Sequence, residues 1–353
     1  MRIAQIANLA ERVPPKRYGG TERVVYALIE ELVQRGHQVT LFATGDSVTS
    51  ARLLSVYPKG LRESKIEAAY GFNVLNLHNI GLAYQLQDQF DIIHDHCFPL
   101  STPVANLATT PVLQTMHGAF TRQDIQMLRL LRRPFINTIS QSQSRFAPGL
   151  NYVGNVYNGL SMEHYPFSDR PEPYLLYVGR ISMEKGVHYA IVAAQHLGLP
   201  LVIAAKIDPL DLPYFKTYIE PNLSEQIQWV GEVDEAKRNQ LMSKAMAFLH
   251  PVTWPEPFGL TLIESMACGC PVVAFNKGSI PELVVNGKTG FVVSDVEEMV
   301  DAILNIDKIK REDCRSHALA NFSAKKMADG YESAYLKILD KVDKKQALRL
   351  ADI

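Results

Sequence analysis

The stretch YLLYVGRISMEKGVHYAIVAAQHLGLPLVIAA (residues 174–205) reads as a strand, a glycine-flanked loop, a helix and a second strand. YLLYVGR and PLVIAA are apolar almost throughout instead of alternating with polar residues. That pattern suits parallel strands covered on both faces, joined by a right-handed helical crossover. Downstream the rhythm continues: IQWVG as a strand, DEAKRNQLMSKA as a helix, MAFLHP as a strand, GLTLIESMACG as a helix and PVVAF as a strand. Upstream, YPFSDRPEPYLL holds Pro166, Pro171 and Pro173 in a polar cluster, a linker signal over residues 166–173. Before it runs an earlier series. RIAQIAN is a strand, and GGTERVVYALIEELVQRGH is a glycine loop opening a helix whose Val24, Val25, Leu28, Ile29 and Leu32 share one face until Gly36. QVTLFAT, FDIIHDH, PVLQTMHG and PFINTIS follow as strands. Two consecutive β/α series predict two doubly wound Rossmann-like α/β domains, residues 1–165 and 174–325.

Bulk properties fit that division. A chain of 353 residues exceeds the size at which a single core stops growing, and 47% apolar residues can furnish two cores. The formal net charge of −1 gives no basic field for nucleic acid. Cys97, Cys268, Cys270 and Cys314 form no C-x-x-C pair, a usage that suits a reducing compartment. MRIAQIANLA is too short an apolar run for a signal sequence, and no stretch approaches the roughly 20 apolar residues needed to span a bilayer. The expectation is a cytoplasmic protein.

In open parallel sheets, ligands sit beyond the carboxyl ends of the strands, where loops lead into helix N-termini. Four loops there carry polar groups. In RYGGTE, Gly19 and Gly20 precede a helix, so bare amides can approach an anion; a turn glycine pair is the other reading. VGRISMEKG sets Arg180 and Lys185 on one strand-to-helix loop, suiting a diphosphate, or else two solvated surface cations. TMHG places His117 at a strand end, and IIHDH adds His94, Asp95 and His96. Asp95 and His96 suit either an acceptor or packing. WPEPFGLTLIESMACGCPVV (residues 254–273) puts Glu256 in a proline-bracketed loop and Glu264 on the following helix, with Phe258, Gly259 and Leu260 at its start. A carboxylate at 264 can accept two ribose hydroxyls, one at 256 a sugar's hydroxyls, and the first-turn amides can meet phosphate.

PEPFGLTLIESMACGCPVV, with its glutamates eight positions apart, resembles the E-x7-E signature of the retaining glycosyltransferases of family 4, which have the GT-B fold. YVGRISMEKG is similar to that family's Arg/Lys phosphate loop. GGTERVVYAL…RGHQVTLFAT resembles its N-terminal glycine loop, helix and second strand, and VYNGLSMEHYPF its segment before the interdomain linker. The resemblance implies two Rossmann-like domains facing across a cleft, with a C-terminal helix (about 326–345) crossing back to the first. It implies that Arg180 and Lys185 neutralise the donor diphosphate, that Glu264 holds the ribose hydroxyls and that Glu256 holds the sugar's 3- and 4-hydroxyls. Amides from Phe258 to Leu260 contact sugar and phosphate, Gly19 and Gly20 close over the phosphates, and His117 sits beside the transferred sugar. Val230 and Gly231 in WVGEVDE lie along the base.

The function implied is retaining transfer of a hexose (glucose, GlcNAc or mannose type) from a nucleotide-diphosphate sugar, UDP-linked by expectation, to a hydroxyl of a saccharide, lipid or small molecule. No D-x-D motif occurs, so no metal and no other cofactor is expected, the nucleotide sugar being a co-substrate. The alternatives are a sugar-nucleotide epimerase on the same fold, which needs no acceptor, and a sugar-nucleotide-binding module without turnover. TRQDIQMLRLLRRPF sets Arg122, Arg129, Arg132 and Arg133 among Leu and Met. This suits a solvated helix face, or peripheral contact with the inner face of a membrane.

Overall fold

In the computed structural model of the protein, which describes residues 1–16, 19–64 and 68–351, the strands form two parallel sheets. The chain divides into two compact units, Met1–Ser161 with Ala324–Ile353, and Met162–Ser323.

The first unit holds β1 (Arg2–Ile6), β2 (Gln38–Phe42), β3 (Arg52–Leu54), β4 (Ile92–Asp95), β5 (Val112–Met116), β6 (Phe135–Thr138) and β7 (Tyr152–Asn155) in the order β3-β2-β1-β4-β5-β6-β7. The order reverses between β1 and β4, which is the switch point of a doubly wound sheet. β4 and β5 are buried at every position, as continuous apolar runs require. Helix Gly20–Gln34 buries Val24, Val25, Leu28, Ile29 and Leu32, each worth about 1.5–3 kcal/mol by area. The last helix, Ala324–Ala351, packs on that helix and on β7. It buries Met327, Tyr331, Tyr335 and Ile338, one stripe at helical spacing, while Leu339 is half-buried. It runs past Lys345, where polar composition suggests fraying. Arg17 and Tyr18 of the RYGGTE loop lie outside the described residues.

The second unit holds β8 (Glu172–Ile181), β9 (Leu201–Ile207), β10 (Ile227–Gly231), β11 (Ala245–His250), β12 (Val272–Phe275) and β13 (Gly290–Val293) in the order β10-β9-β8-β11-β12-β13. Here the order reverses between β8 and β11, so the loops after these two strands flank the switch point. The stretch read as a linker lies wholly inside this unit. Its prolines remove donors, but its carbonyls are used: Arg311 Nε donates to Ser168 O at 2.6 Å and Arg315 Nη1 to Tyr165 O at 3.0 Å. The same two side chains reach Ala245 O and Ala267 O, tying the segment to β11 and to the helix after it.

Candidate functional site

Arg180 is the last residue but one of β8, Lys185 stands in the loop after it, and the loop after β11 carries Glu256. Thr253 N donates to Glu184 O at 2.9 Å, which stitches the two loops together by their backbones. Lys185 Nζ then meets Glu256 Oε2 at 2.6 Å, and Trp254 Nε1 donates to the same oxygen at 3.0 Å. Both bonds converge on Oε2. Lys185 also stands over the Trp254 ring, 4.9 Å from its centre, a cation–π contact that further fixes the ammonium. Burial pushes the Glu256 carboxyl up, but Lys185 and the neighbouring His250 outweigh it and hold the group at about 2. Glu256 is therefore a carboxylate at any physiological pH.

The backbone of this loop is fixed from behind. Ser279 N donates to Glu256 O at 2.9 Å and Ser279 Oγ to Phe258 O at 2.7 Å. Gly278 makes that approach possible. It sits at φ +58°, and a Cβ there would lie 2.2 Å from Glu256 O. Gly259, at φ +93°, caps the helix Leu260–Ala267, so the helix begins where the sequence expects. Its opening amides at Gly259 and Leu260 have no carbonyl ahead of them in the helix.

Glu264 lies one turn in and is 1% exposed. Its Oε1 accepts from Arg238 Nη2 at 2.7 Å, so a buried arginine from helix Glu235–Lys244 already pairs the carboxylate expected to hold ribose. Arg180 is likewise occupied. Its guanidinium bonds Glu184, with Asp211 at 3.6 Å and Asp208 at 3.8 Å. The two cations of one loop are thus divided, Lys185 to Glu256 and Arg180 to a cluster of acids. Val230 and Gly231 end the edge strand β10, and Val230 is exposed. No hydrogen bond or ion pair among the described residues joins them to Lys185, Glu256 or Glu264.

In the first unit, Gly19 caps and Gly20 opens the helix Gly20–Gln34. Glu22 lies in that helix's first turn, and burial pushes its carboxyl up to about 7. His117 follows β5 and is half-buried; Gln143 Nε2 donates to Met116 O at 3.1 Å and Gly118 O at 2.6 Å, holding the turn on both sides. His117 Nε2 bonds His96 Nδ1 at 2.8 Å, and His96 Nε2 bonds Gln5 Oε1 at 2.8 Å. Burial lowers His117 to about 4 and His96 well below its ordinary value.

Asp95 and His96, which the sequence reads as acceptor contacts or as packing, both lie buried. Asp95 is fully buried, with Tyr84 OH at 2.7 Å on Oδ2 and Cys97 N at 2.8 Å on Oδ1. His96 is 5% exposed and both its ring nitrogens are bonded. An apolar strand draws its polar end into the sheet when partners await it there, so both groups belong to the interior.

Several contributors had no sequence signal. Arg238, Gly278 and Ser279 act through contacts made by segments apart in sequence, and Trp254 by folding back onto Glu256 two residues on. His250 ends β11 with neither ring nitrogen hydrogen-bonded, its Nε2 lying 3.8 Å from Glu256 Oε2. A histidine at a strand end was the one available clue. The arginines of TRQDIQMLRLLRRPF are exposed, while Leu128 packs inward from helix Arg122–Leu130. Among the described residues no group of three or more His, Cys, Asp or Glu is placed to hold a metal ion, and no helix is long and apolar enough to cross a membrane.

Residues 166–323 match the family model described as Glycosyl transferases group 1, and residues 18–153 match Glycosyltransferase Family 4. A glycogen synthase of Mycobacterium tuberculosis (strain CDC 1551 / Oshkosh) is 28% identical over 343 residues, covering 81% of each chain. Among solved structures, sucrose-phosphate synthase from Thermosynechococcus elongatus superposes with a TM-score of 0.76 at 20% identity, covering 98% of this chain and 99% of that one. The Anabaena protein HepE in complex with UDP and glucose gives a TM-score of 0.71 at 18% identity, with 93% and 97% covered.

Proposed function

We propose, from the premise that this chain belongs to the glycosyltransferases of family 4 and shares their GT-B fold, that it transfers a hexose from a UDP-linked donor to a hydroxyl acceptor, with retention and without a metal. The observation that carries this reading is the Lys185–Glu256–Trp254 cluster. Lysine and tryptophan both take Oε2, which leaves Oε1 of a permanently ionised carboxylate for sugar hydroxyls beside an ammonium suited to phosphate. UDP as the carrier is supported by HepE, which was solved with UDP and glucose.

Cleaving the glycosyl–phosphate bond builds negative charge on the departing diphosphate. Lys185 and the amides at Gly259 and Leu260 bind that charge more strongly in the transition state than before it, which is the requirement for catalysis. Arg180 joins them once diphosphate oxygens compete with Glu184, Asp208 and Asp211. Glu264, held by Arg238, takes the ribose hydroxyls through its carboxylate, and Val230 and Gly231 flank the base. Gly19 and Gly20 offer amides to phosphate, and His117 accepts from a hydroxyl of the transferred sugar. The acceptor hydroxyl attacks from the face the diphosphate leaves and gives its proton to a departing phosphate oxygen, so no glycosyl-enzyme adduct forms.

Incubating the protein with UDP- and GDP-sugars and a panel of saccharide and lipid acceptors, with UDP release and product anomer read by NMR, tests the reading. A retained anomer formed equally well in EDTA is expected. Inversion, an isolable adduct, or strict dependence on Mn²⁺ would reject it, and an epimerised donor in the absence of acceptor would favour the epimerase.

A further inference from the structure

The polar residues at the ends of β4 and β5 form one continuous hydrogen-bonded chain that leads from the last helix to His117. Tyr335, on helix Ala324–Ala351, receives Gln5 Nε2 at 3.2 Å and lies 2.7 Å from His94 Nδ1. His94 Nε2 lies 2.7 Å from Thr115 Oγ1. At its other end, Gln5 presents Oε1 to His96 Nε2 at 2.8 Å, and His96 Nδ1 faces His117 Nε2 at 2.8 Å. Gln5, His94 and Tyr335 are fully buried and His96 nearly so, so water cannot complete the pattern in their place.

The donors along the chain follow from one another. Gln5 Oε1 can only accept, so His96 carries its proton on Nε2. Burial keeps His96 neutral, so its Nδ1 is a lone pair. A lone pair there obliges His117 to carry a proton on Nε2. The remaining ring nitrogen of His117, Nδ1, makes no hydrogen bond among the described residues. We infer that Gln5 and His96 are positioning residues that fix His117 as its Nε2–H tautomer, aiming the Nδ1 lone pair at a sugar hydroxyl as an acceptor. The inference rests on the transferase reading for the hydroxyl, but its core is the tautomer, which exists without turnover. Tyr335 anchors the far end of the Gln5 amide, so the last helix is joined by hydrogen bonds to a histidine far from it in sequence. A neutral imidazole whose orientation and tautomer are set by an outer partner is a recurring device where a histidine must act in one sense only.

A Gln5 amide turned end for end would reverse every donor in the chain, and His117 would then carry its proton on Nδ1. The tautomer of His117 therefore reads the whole chain at one atom. Long-range ¹⁵N–¹H correlation on the intact protein labelled at histidine, with His117→Gln to assign its ring, is the test. A protonated Nε2 and an unprotonated Nδ1 at pH 7 are expected; the opposite pattern, or an even mixture, overturns the proposal. Gln5→Met keeps the volume and removes the acceptor. It should turn the His117 signals into a tautomer mixture and lower kcat about tenfold with KM for the donor changed less than about threefold. A single Nε2–H tautomer persisting in folded Gln5→Met would also overturn it. If the wild-type protein shows the Nε2–H tautomer yet transfers no sugar, the positioning role stands and the transferase reading falls.

Discussion

The loops after β8 and β11 hold carboxylates paired with cations, whereas the ends of β4 and β5 hold neutral histidines. Both sets stand at carboxyl ends of strands at or next to the switch point of a doubly wound sheet, so topology alone does not distinguish them. Burial is similar too: Glu264 and His94 are each all but inaccessible. What differs is the partner that arrives from elsewhere in the chain. Lys185 brings full positive charge to Glu256, which holds that carboxylate ionised, and Arg238 brings the same charge to Glu264. Gln5, Thr115 and Tyr335 bring only dipoles to the histidines, and desolvation then keeps imidazoles neutral. The second unit stores charge suited to a diphosphate; the first stores lone pairs and N–H groups suited to hydroxyls.

The sharpest way to break that contrast is to remove one partner of the buried pair. Arg238→Ala takes the positive charge away from the buried Glu264 carboxylate, which should destabilise the second unit by up to about 3–5 kcal/mol, read as a lowered urea midpoint. Arg238→Met with Glu264→Gln should recover most of the loss. A single variant as stable as wild type would mean that Arg238 does not hold Glu264. Next in size, Lys185→Ala should reduce kcat/KM at least about a hundredfold, as for loss of an oxyanion-type donor. Glu256→Gln should act comparably while the fold, followed by circular dichroism, persists. Near-normal turnover in both would put the chemistry elsewhere.

Acid sharpens the comparison from the other side. His94 and His96 are lowered well below their ordinary value and His117 to about 4, in each case by burial. The unfolded chain therefore binds more protons at these sites once pH falls below about 6.5, and the stability they contribute above that pH is lost on the way down to their folded values. Glu22, raised to about 7, and Asp95, also raised, work in the opposite sense because their folded forms take protons first. Three histidines against two acids leave a net loss of stability as pH falls from 6.5 to 5. Glu256, at about 2, adds nothing in that window. Hydrogen exchange should accordingly show amides of β4 and β5 losing protection between pH 7 and 5, after correction for intrinsic rates, with β11, whose His250 is also lowered by burial, moving in the same sense to a smaller extent.

How far the sequence carried these conclusions differs with range. The continuous apolar runs of FDIIHDH and MAFLHP, and the stripe from Val24 to Leu32, were legible because strand and helix periodicity are local. The Pro-Glu-Pro-Phe-Gly bracket marked Glu256 for the same reason. Asp95 and His96 stayed open between an acceptor and packing because exposure at a strand end depends on whether Tyr84 and Gln5 arrive from other segments. The occupied state of Arg180 and Glu264 was invisible likewise: Asp208, Asp211 and Arg238 follow on other loops and helices, and no spacing rule links them. The sequence of 166–173 showed prolines but not Arg311 and Arg315, some 140 residues on, whose side chains fold that stretch into the second unit.

A third set of charges shows that burial decides how much an ion pair costs to break. Glu332, on the last helix, accepts from Arg35 Nη1 at 2.5 Å and meets His37 Nε2 at 2.7 Å, distances as short as those of Arg238 with Glu264. Yet its side chain is 27% exposed, against 1% for Glu264. Water can replace these partners, and Arg35 retains Asp329 at 2.8 Å when the glutamate is neutralised. Glu332→Gln should therefore cost less than about 1 kcal/mol and weaken further in salt. A loss approaching that of Arg238→Ala, measured in the same urea series, would show that the last helix is held by charge and not by Tyr331, Tyr335 and Ile338.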